Sequence, residues 1–176
     1  FTNPMWFEDM GGFTKAENIE IFLDFVALAV RSFGDLVSEY ITINEPNVYA
    51  TESYYFGEWP PGEKSMGRAM TVMANMAVCH IRAYGLIHHI RREMGFDDTR
   101  VSFAHHMRAF DPKSPMNPFH RTGTRLMERL FQGVVTPALC RGIFKWPLRA
   151  PATTKRGEYV DFIAVNYYTR TIVSGF

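Results

Sequence analysis

Several features that mark whole classes of protein are scarce in this sequence. Its 176 residues include two cysteines, Cys79 and Cys140, which lie far apart and have no CxxC partner. This usage indicates buried structural thiols, with a disulfide or redox role as the alternative, and it favours a reducing, cytoplasmic setting. The net charge is only +1 and the basic residues are scattered, so the sequence shows no electrostatic footprint for nucleic acid.

Long hydrophobic runs are also absent. The most apolar stretch, residues 19–30, is shorter than a membrane span and is interrupted by Glu20 and Asp24. The first residues, FTNPMWFEDMGG, lack a charged segment followed by an apolar one, so we expect no signal peptide. The six histidines show neither HExxH nor a comparable ligand spacing, so we predict no metal site.

The sequence does contain enough apolar residues for one packed core. Hydrophobic residues make up 47% of the chain and aromatic residues 15%, and a surplus of aromatic rings suits a cleft that stacks on ligands. Apolar periodicity predicts three helices. One opens at a capping box of Thr14 and Glu17 and ends at Gly34, a long one follows Ser65, and one covers residues 125–135.

Three short β-rich runs predict strands at residues 40–44, 100–104 and 162–165. The last run is apolar throughout, as expected of a parallel strand that is covered on both faces. Strands separated by helix-containing connections indicate parallel βαβ units. Three strands cannot close a barrel, so the pattern indicates either an open sheet or part of a longer chain.

Polar side chains follow the end of each predicted strand. Asn44 and Glu45 follow the first, His105 and His106 the second, and residues 166–168 the third. In a parallel sheet these side chains converge on one edge, where an acid, amides, imidazoles and phenols suit general acid–base chemistry. Glu45 taken alone is more simply interpreted as a solvated carboxylate at a strand end.

Four short motifs occur in order along the chain, after a G-G-F sequence at residues 11–13. They are T-I-N-E-P (42–46), G-E-W-P-P-G (57–62), C-H-I-R-A-Y (79–84) and D-F-I-A-V-N-Y-Y-T (161–169). They resemble the T-x-N-E-P, G-x-x-x-P-G, L-x-A-H-A and D-F-x-G-x-N-Y-Y-T motifs of glycoside hydrolase family 1. This is the family of retaining β-glucosidases and β-galactosidases, and the resemblance covers nearly the whole chain.

The resemblance implies a fold. The family fold is an α/β protein, the (β/α)8 TIM barrel, and residues 1–176 correspond to the central portion of its single catalytic domain. This partial barrel runs from the third helix through the sixth strand, with no separate domains. The enlarged loops at the carboxyl ends of the strands then build the active site.

The resemblance also implies roles for particular residues. Glu45 corresponds to the acid/base, Asn44 to the residue that binds the sugar 2-hydroxyl, and Tyr168 to the phenol that positions the nucleophile. Asn166 lies in the same sixth-strand motif, and Trp59 lies where the family's loop borders the leaving-group site. No cofactor is implied, and the two histidines at the end of the fifth strand receive no catalytic role.

Two departures from the family pattern stand out. Asn47 replaces a Trp that many relatives carry after N-E-P, which affects contacts with the leaving group. A retaining glycosidase also needs a second carboxyl group about 5 Å from the acid/base. The family's nucleophile motif, T-E-N-G, does not occur in this sequence. We therefore expect little or no activity from these residues alone.

The resulting prediction is hydrolysis of O-glycosidic bonds in β-glucosides or related β-glycosides by a retaining, two-carboxylate mechanism. Glu45 is the predicted acid/base, and the nucleophile lies outside this chain. The alternative is a non-catalytic sugar-binding protein, or an inactive fragment, of the same scaffold. The predicted partner is a small carbohydrate, without nucleic acid or membrane. The rest of the barrel or a homo-oligomer would cover the open sheet edges.

Overall fold

The computed structural model describes residues 3–149 and 154–175, which form one three-stranded sheet with helices packed against it. The helices in these residues are α1 (Met5–Asp9), α2 (Asn18–Phe33), α3 (Pro46–Thr51), α4 (Met66–Glu93), α5 (Pro118–Glu128) and α6 (Val135–Arg141). The strands are β1 (Glu39–Asn44), β2 (Arg100–Pro112) and β3 (Ala164–Val173). A 3-10 turn covers Gly12–Thr14, and π-helical segments cover Glu52–Phe56 and Arg129–Gly133.

The sheet is parallel, in the order β1-β2-β3. Tyr40 pairs with Val101 between the first two strands, and His106 pairs with Asn166 between the last two. Helices connect successive strands, and α4 packs against both β1 and β2. The carboxyl ends of the strands therefore lie along one edge of the sheet, as parallel crossover units require.

Helix α2 ends as predicted but does not begin as predicted. Gly34 follows its last residue. The capping box is wrong, because the Thr14 hydroxyl donates to the Gly11 carbonyl oxygen and no side chain caps the helix. Instead Asn18, the first helical residue, donates from Nδ2 to the Gly12 carbonyl oxygen at 2.8 Å. The preceding turn thus supplies the acceptor that fixes the start of α2.

Helix α4 is the main element of the core. It begins where predicted, with Ser65 Oγ accepting a hydrogen bond from the Arg68 N–H at 3.3 Å. Met70, Met73 and Met76 are buried along its length, which confirms that most of its methionine stripe fills the core. Both cysteines are free thiols, one buried within α4 and one half-buried in α6.

Strands β2 and β3 differ most from the sequence prediction. β2 continues to Pro112, eight residues beyond the predicted end, and its outer part pairs with β3 from Ala109–Arg170 to Pro112–Val173. β3 begins at Ala164 and is not covered on both faces, since Ile163 just before it is 87% exposed and Val165 is also exposed. The two strands therefore extend together past the edge where Asn44 and Glu45 end β1.

Asp161 joins the beginning of β3 to the rest of the fold. Its carboxylate accepts from the Tyr84 hydroxyl at 2.7 Å and from the Val101 N–H at 2.7 Å, and it pairs with His88 Nε2 at 2.8 Å. Its own N–H donates to the Val101 carbonyl oxygen at 2.9 Å. These contacts tie the amino ends of β2 and β3 to α4, at the opposite end of the sheet from Glu45.

His80 is a buried histidine that joins α4 to the sheet. Its Nδ1 accepts from the Thr42 hydroxyl at 2.6 Å, and its Nε2–H donates to the Tyr159 carbonyl oxygen at 2.8 Å. Both ring nitrogens are thus satisfied by a neutral imidazole. Burial lowers the pKa of His80 to about 4, against a smaller opposing effect of the Tyr159 carbonyl.

We predict that this histidine makes the folded state sensitive to moderate acid. The pKa of a histidine in the unfolded chain is near 6.5, and that of folded His80 is about 4. The contribution of His80 to folding stability is therefore complete above pH 6.5 and is lost as the pH falls from there toward 4. Urea unfolding measures the free energy of unfolding at each pH. Between pH 7 and pH 5 this free energy should fall by about 2 kcal/mol more in wild type than in His80→Gln. The control is His89→Gln on the exposed face of α4, which should keep the wild-type dependence. Equal dependence in all three proteins would contradict this assignment.

Large apolar side chains remain exposed on two surfaces of the described structure. Phe25, Leu28 and Phe33 are exposed along α2, and Ile163 and Ile172 are exposed at β3. None of the helices in the described residues is long and apolar enough to cross a membrane. Contiguous exposed apolar surface is typical of interaction sites.

Candidate active site

Glu45 follows β1 in an unusual backbone conformation. Its φ of 49° and ψ of 56° lie in the left-handed region, and it is the one residue other than glycine with positive φ in the described parts of the chain. Its N–H donates to the Ala104 carbonyl oxygen at 2.7 Å, and its carbonyl oxygen accepts from the Tyr49 N–H at 3.0 Å. Neighbouring structure holds this strained conformation, a situation that is concentrated at functional sites.

The Glu45 carboxylate lies in a shielded position with one oxygen already occupied. Its side chain is 15% exposed. Asn166 Nδ2 donates to Glu45 Oε1 at 2.8 Å and also to Asn44 Oδ1 at 2.9 Å. One amide group from β3 therefore fixes both polar residues at the end of β1. The structure thus brings Asn44, Glu45 and Asn166 into one cluster.

Tyr168 joins this cluster from the exposed side. Its phenol interacts with the Glu45 carboxylate by a side-chain hydrogen bond, which raises the pKa of Tyr168 above its ordinary value. The ring also lies 5.0 Å from the His106 ring. The phenol is therefore directed at Glu45.

Trp59 lies apart from the carboxylate cluster. It follows the π-helical segment after α3 and is 41% exposed. With Met5, Glu8 and Pro60 it lines a cleft of about 360 Å³ that none of the cluster residues borders. Of the predicted site residues, it is the one that the structure does not bring next to Glu45.

The two histidines at the carboxyl side of β2 point to opposite faces of the sheet. His106 faces the cluster, with Nδ1 3.8 Å from Glu45 Oε1. His105 faces the helices, with Nε2 3.0 Å from Thr136 Oγ1 and its ring 5.6 Å from Phe103. The sequence showed both residues at a strand end, and alternation along the strand is what separates them.

Burial sets the charge of both histidines. Desolvation, assisted by His106, lowers the pKa of His105 to about 4, although the Glu45 charge acts in the other direction. Desolvation and the positive charge of Arg108 lower the pKa of His106, again against the effect of Glu45. Both imidazoles are therefore neutral at neutral pH, and Glu45 has no cationic histidine beside it.

Asn47 does not take the place of the missing tryptophan. It is fully buried in α3, and its Nδ2 donates to the His106 carbonyl oxygen at 2.9 Å. It therefore connects α3 to β2 instead of facing a leaving group. The sequence showed that Asn47 replaces the tryptophan, but not that its side chain hydrogen-bonds the backbone of β2.

The remaining polar groups provide no metal centre. In the described ranges, no group of three or more His, Cys, Asp or Glu side chains is placed to hold a metal ion. Burial and the charge of Glu58 raise the pKa of Glu52, in the π-helical segment after α3. The chemistry that the cluster offers is thus proton transfer and hydrogen bonding by one carboxylate, two amides and a phenol.

The fold and the site together define a parallel α/β structure with a carboxylate at the carboxyl end of a strand. The sequence profile of the family described as "Glycosyl hydrolase family 1" matches residues 1–176. The chain belongs to glycosyl hydrolase family 1. The family resemblance predicted from its motifs is thereby confirmed.

Individual relatives agree with this membership. The chain is 30% identical to a galactolipid galactosyltransferase of Arabidopsis thaliana, over 98% of this chain and 26% of that protein. It is 27% identical to a β-galactosidase of Sulfolobus acidocaldarius, over 99% of this chain and 36% of that protein. The chain thus spans about a quarter to a third of the length of these relatives.

Solved structures confirm the fold class. A β-glycosidase from Pyrococcus horikoshii superposes with a TM-score of 0.79 at 28% identity, over 96% of this chain and 37% of that one. A β-glucosidase from Thermotoga maritima, solved with deoxynojirimycin, gives 0.81 at 22% identity, over 97% and 40%. These are TIM-barrel enzymes, and the three parallel strands described above are a partial, unclosed barrel of that kind.

Proposed function

We propose that this chain is the central part of a retaining β-glycosidase in which Glu45 is the acid/base. The observation that carries the proposal is the placement of its carboxylate. A shielded glutamate in a left-handed backbone conformation has one oxygen fixed by Asn166, which also fixes Asn44. Membership of a glycosidase family supports the same reaction class.

In the first step, protonated Glu45 donates its proton to the leaving oxygen as the bond to the anomeric carbon breaks. Because Asn166 occupies Oε1, the other carboxyl oxygen, Oε2, carries the transferable proton. A second carboxylate, about 5 Å away in retaining enzymes, forms the covalent glycosyl intermediate. Glu45 then takes a proton from the incoming water, which attacks the anomeric carbon and releases the sugar.

The neighbouring residues have complementary roles in this proposal. Asn44 accepts from Asn166 through Oδ1, which leaves its Nδ2 to donate to the sugar 2-hydroxyl oxygen. Tyr168, whose phenol hydrogen-bonds the Glu45 carboxylate, also orients the nucleophile, as the family resemblance implies. Trp59 keeps the role that the family resemblance implies, a contact with the leaving group, although it lies apart from Glu45 in these residues.

A second candidate function is transfer of the sugar to a carbohydrate hydroxyl instead of water. The relative from Arabidopsis thaliana with 30% identity is named a galactolipid galactosyltransferase, and that identity extends over nearly the whole chain. Transfer uses the same covalent intermediate, with Glu45 removing the proton from the acceptor hydroxyl. Product analysis with and without an added galactolipid acceptor distinguishes the two reactions.

A non-catalytic sugar-binding role is the alternative from another class. One relative, 26% identical over 95% of this chain, is named a probable inactive β-glucosidase. The distinguishing feature is a nucleophilic carboxylate in the full-length protein: with it the protein is an enzyme, and without it the scaffold binds sugar only.

The proposal is tested by assaying the full-length protein with 4-nitrophenyl β-D-glucoside and β-D-galactoside. We expect release of nitrophenol, and a β-configured sugar as the first product. Residues 1–176 alone should be inactive, because only one member of the carboxylate pair is present. Absence of turnover with both substrates and with a panel of β-disaccharides would contradict the proposal.

The remainder of the barrel is the proposed partner of the exposed apolar surfaces on α2 and β3, with a homo-oligomer as the alternative. Covering those surfaces would also pair the outer edges of β1 and β3. A cytoplasmic location stays a prediction from cysteine usage.

A further inference from the structure

His106 is a buried imidazole beside the proposed acid/base, and the mechanism above does not use it. Its side chain is 7% exposed, and its Nδ1 lies 3.8 Å from Glu45 Oε1. Its Nε2 is shielded from solvent and has no hydrogen-bond partner among the described residues. Glu45 is therefore the polar side chain to which a ring nitrogen of His106 is directed.

The ring is held in this place on several sides. It packs edge-on against Phe131 at 5.4 Å and lies tilted against the Tyr168 ring at 5.0 Å. Asn47 binds its carbonyl oxygen at 2.9 Å, and Asn166 is its register partner across the sheet. The separation of 3.8 Å between Nδ1 and Oε1 is longer than a hydrogen bond, and catalytic hydrogen bonds often tighten only when substrate is bound.

We propose that His106 is a positioning residue for Glu45, whose Nδ1–H donates to Glu45 Oε1 when that carboxylate is ionised. This inference rests on the proposed function. Asn166 holds the same oxygen throughout the reaction, and His106 adds a second donor after Glu45 has given up its proton. Oε2 then stays free to exchange the proton with the leaving group and the incoming water.

The charges around His106 favour this role. Glu45 faces it from the end of β1, Arg108 and His105 belong to its own strand, and Tyr168 faces it from β3. Burial and Arg108 lower the pKa of His106, while the charge of Glu45 raises it. The imidazole therefore stays neutral at neutral pH, so it can stabilise the carboxylate as a hydrogen-bond donor without neutralising its charge.

The first test is the pH dependence of kcat/KM in the full-length protein with a poorly activated β-glycoside. His106→Phe keeps a ring against Phe131 and Tyr168 but has no nitrogen. The basic limb, which reports loss of the acid proton, should move upward by about half to one pH unit, because the ionised form loses a donor. His106→Gln, whose amide can donate, should restore most of the shift.

The matched control is His105→Phe. It changes the adjacent buried histidine on the opposite face, which contacts Thr136 instead of Glu45. Thr136 keeps its hydrogen bond to the Gln132 carbonyl oxygen at 2.7 Å. We expect the basic limb to stay at its wild-type position in this variant.

A second measurement needs no activity and applies even where His106→Phe folds poorly. Histidine-ring NMR of the full-length protein follows the titration of His106 in wild type and in Glu45→Gln. Since the Glu45 charge raises the pKa of His106, removing it should lower that pKa, while the exposed His89 serves as an unaffected reference. The coupling is reciprocal, so it reports the same interaction from the other side.

The inference is overturned if His106→Phe leaves the basic limb in place, or if His105→Phe shifts it equally. An unchanged His106 titration in Glu45→Gln would also overturn it, since the ring would then serve packing alone. Failure of the proposed function looks different: wild-type protein would turn over no β-glycoside, while the NMR titration would still report on the contact.

Discussion

Replacing Glu45 with glutamine should reduce kcat/KM of the full-length protein for a β-disaccharide by about 10² to 10⁴-fold. The amide has the same shape, and its oxygen can still accept the Asn166 hydrogen bond that reaches Oε1 at 2.8 Å. The variant loses the carboxyl group that donates a proton in the first step and accepts one in the second. Substrates whose leaving group needs no proton, such as dinitrophenyl β-glucoside, should still release a burst of phenol equal to the enzyme concentration.

The control for this prediction lies at the other end of the same strand. Glu39 begins β1 on the surface, where it pairs with Arg100, and Glu39→Gln should keep wild-type kinetics. Undiminished hydrolysis of a disaccharide by Glu45→Gln would remove Glu45 from the mechanism.

Replacing Asn166 with aspartate should have the second-largest effect, because it changes a donor into a like charge. Asn166 now donates to both Asn44 and Glu45 at 2.8–2.9 Å. Two carboxyl groups at such a distance cannot both ionise, so they share one proton. That proton lies between them instead of facing the substrate, and kcat for poor leaving groups should fall by about 100-fold or more.

The pH profile distinguishes this effect from simple misfolding. The basic limb of kcat/KM in Asn166→Asp should move upward by more than about one pH unit. Asn117→Asp is the matched control, since Asn117 caps α5 through its side-chain oxygen and aspartate is an equally good cap. A basic limb at the wild-type position in Asn166→Asp would show that the contact with Glu45 is absent in the working enzyme.

The sequence predicted those parts of the fold whose signals are local. Ser65 is followed by a long amphipathic helix, and Gly34 ends α2, because a cap or a stop needs only its immediate neighbours. Thr14 and Glu17 had the same kind of local pattern, but the Thr14 hydroxyl is used by the turn at Gly11. The hydrogen bond from Thr14 to the Gly11 carbonyl oxygen replaces the cap that the pattern predicted.

Non-local pairing explains the larger errors. The sequence predicted a strand that ends at residue 104, so the extended conformation of residues 105–112 was not expected. They are extended because β3 pairs with them, and Arg170 forms an ion pair with Asp111 at 3.1 Å. Such support comes from residues some 60 positions away, so no window of sequence around β2 could have shown it.

At the site, motif and geometry contributed different information. The T-I-N-E-P and N-Y-Y motifs indicated Asn44, Glu45, Asn166 and Tyr168, and the structure places these four together. The face on which His106 lies, and the burial of Asn47, depend on strand register and helix packing. The motifs therefore identified the residues of the site, whereas the contacts of His106 and Asn47 became visible only in the structure.

The central claim, that Glu45 is the acid/base of a retaining glycosidase, is tested most directly with Glu45→Ala and azide. Removing the side chain leaves space and takes away a negative charge next to the covalent intermediate, so a small anion can attack the anomeric carbon in place of water. With dinitrophenyl β-glucoside, azide should accelerate turnover of the full-length variant, and NMR should identify β-glucosyl azide as the product. No acceleration, or an α-configured azide, would contradict the account.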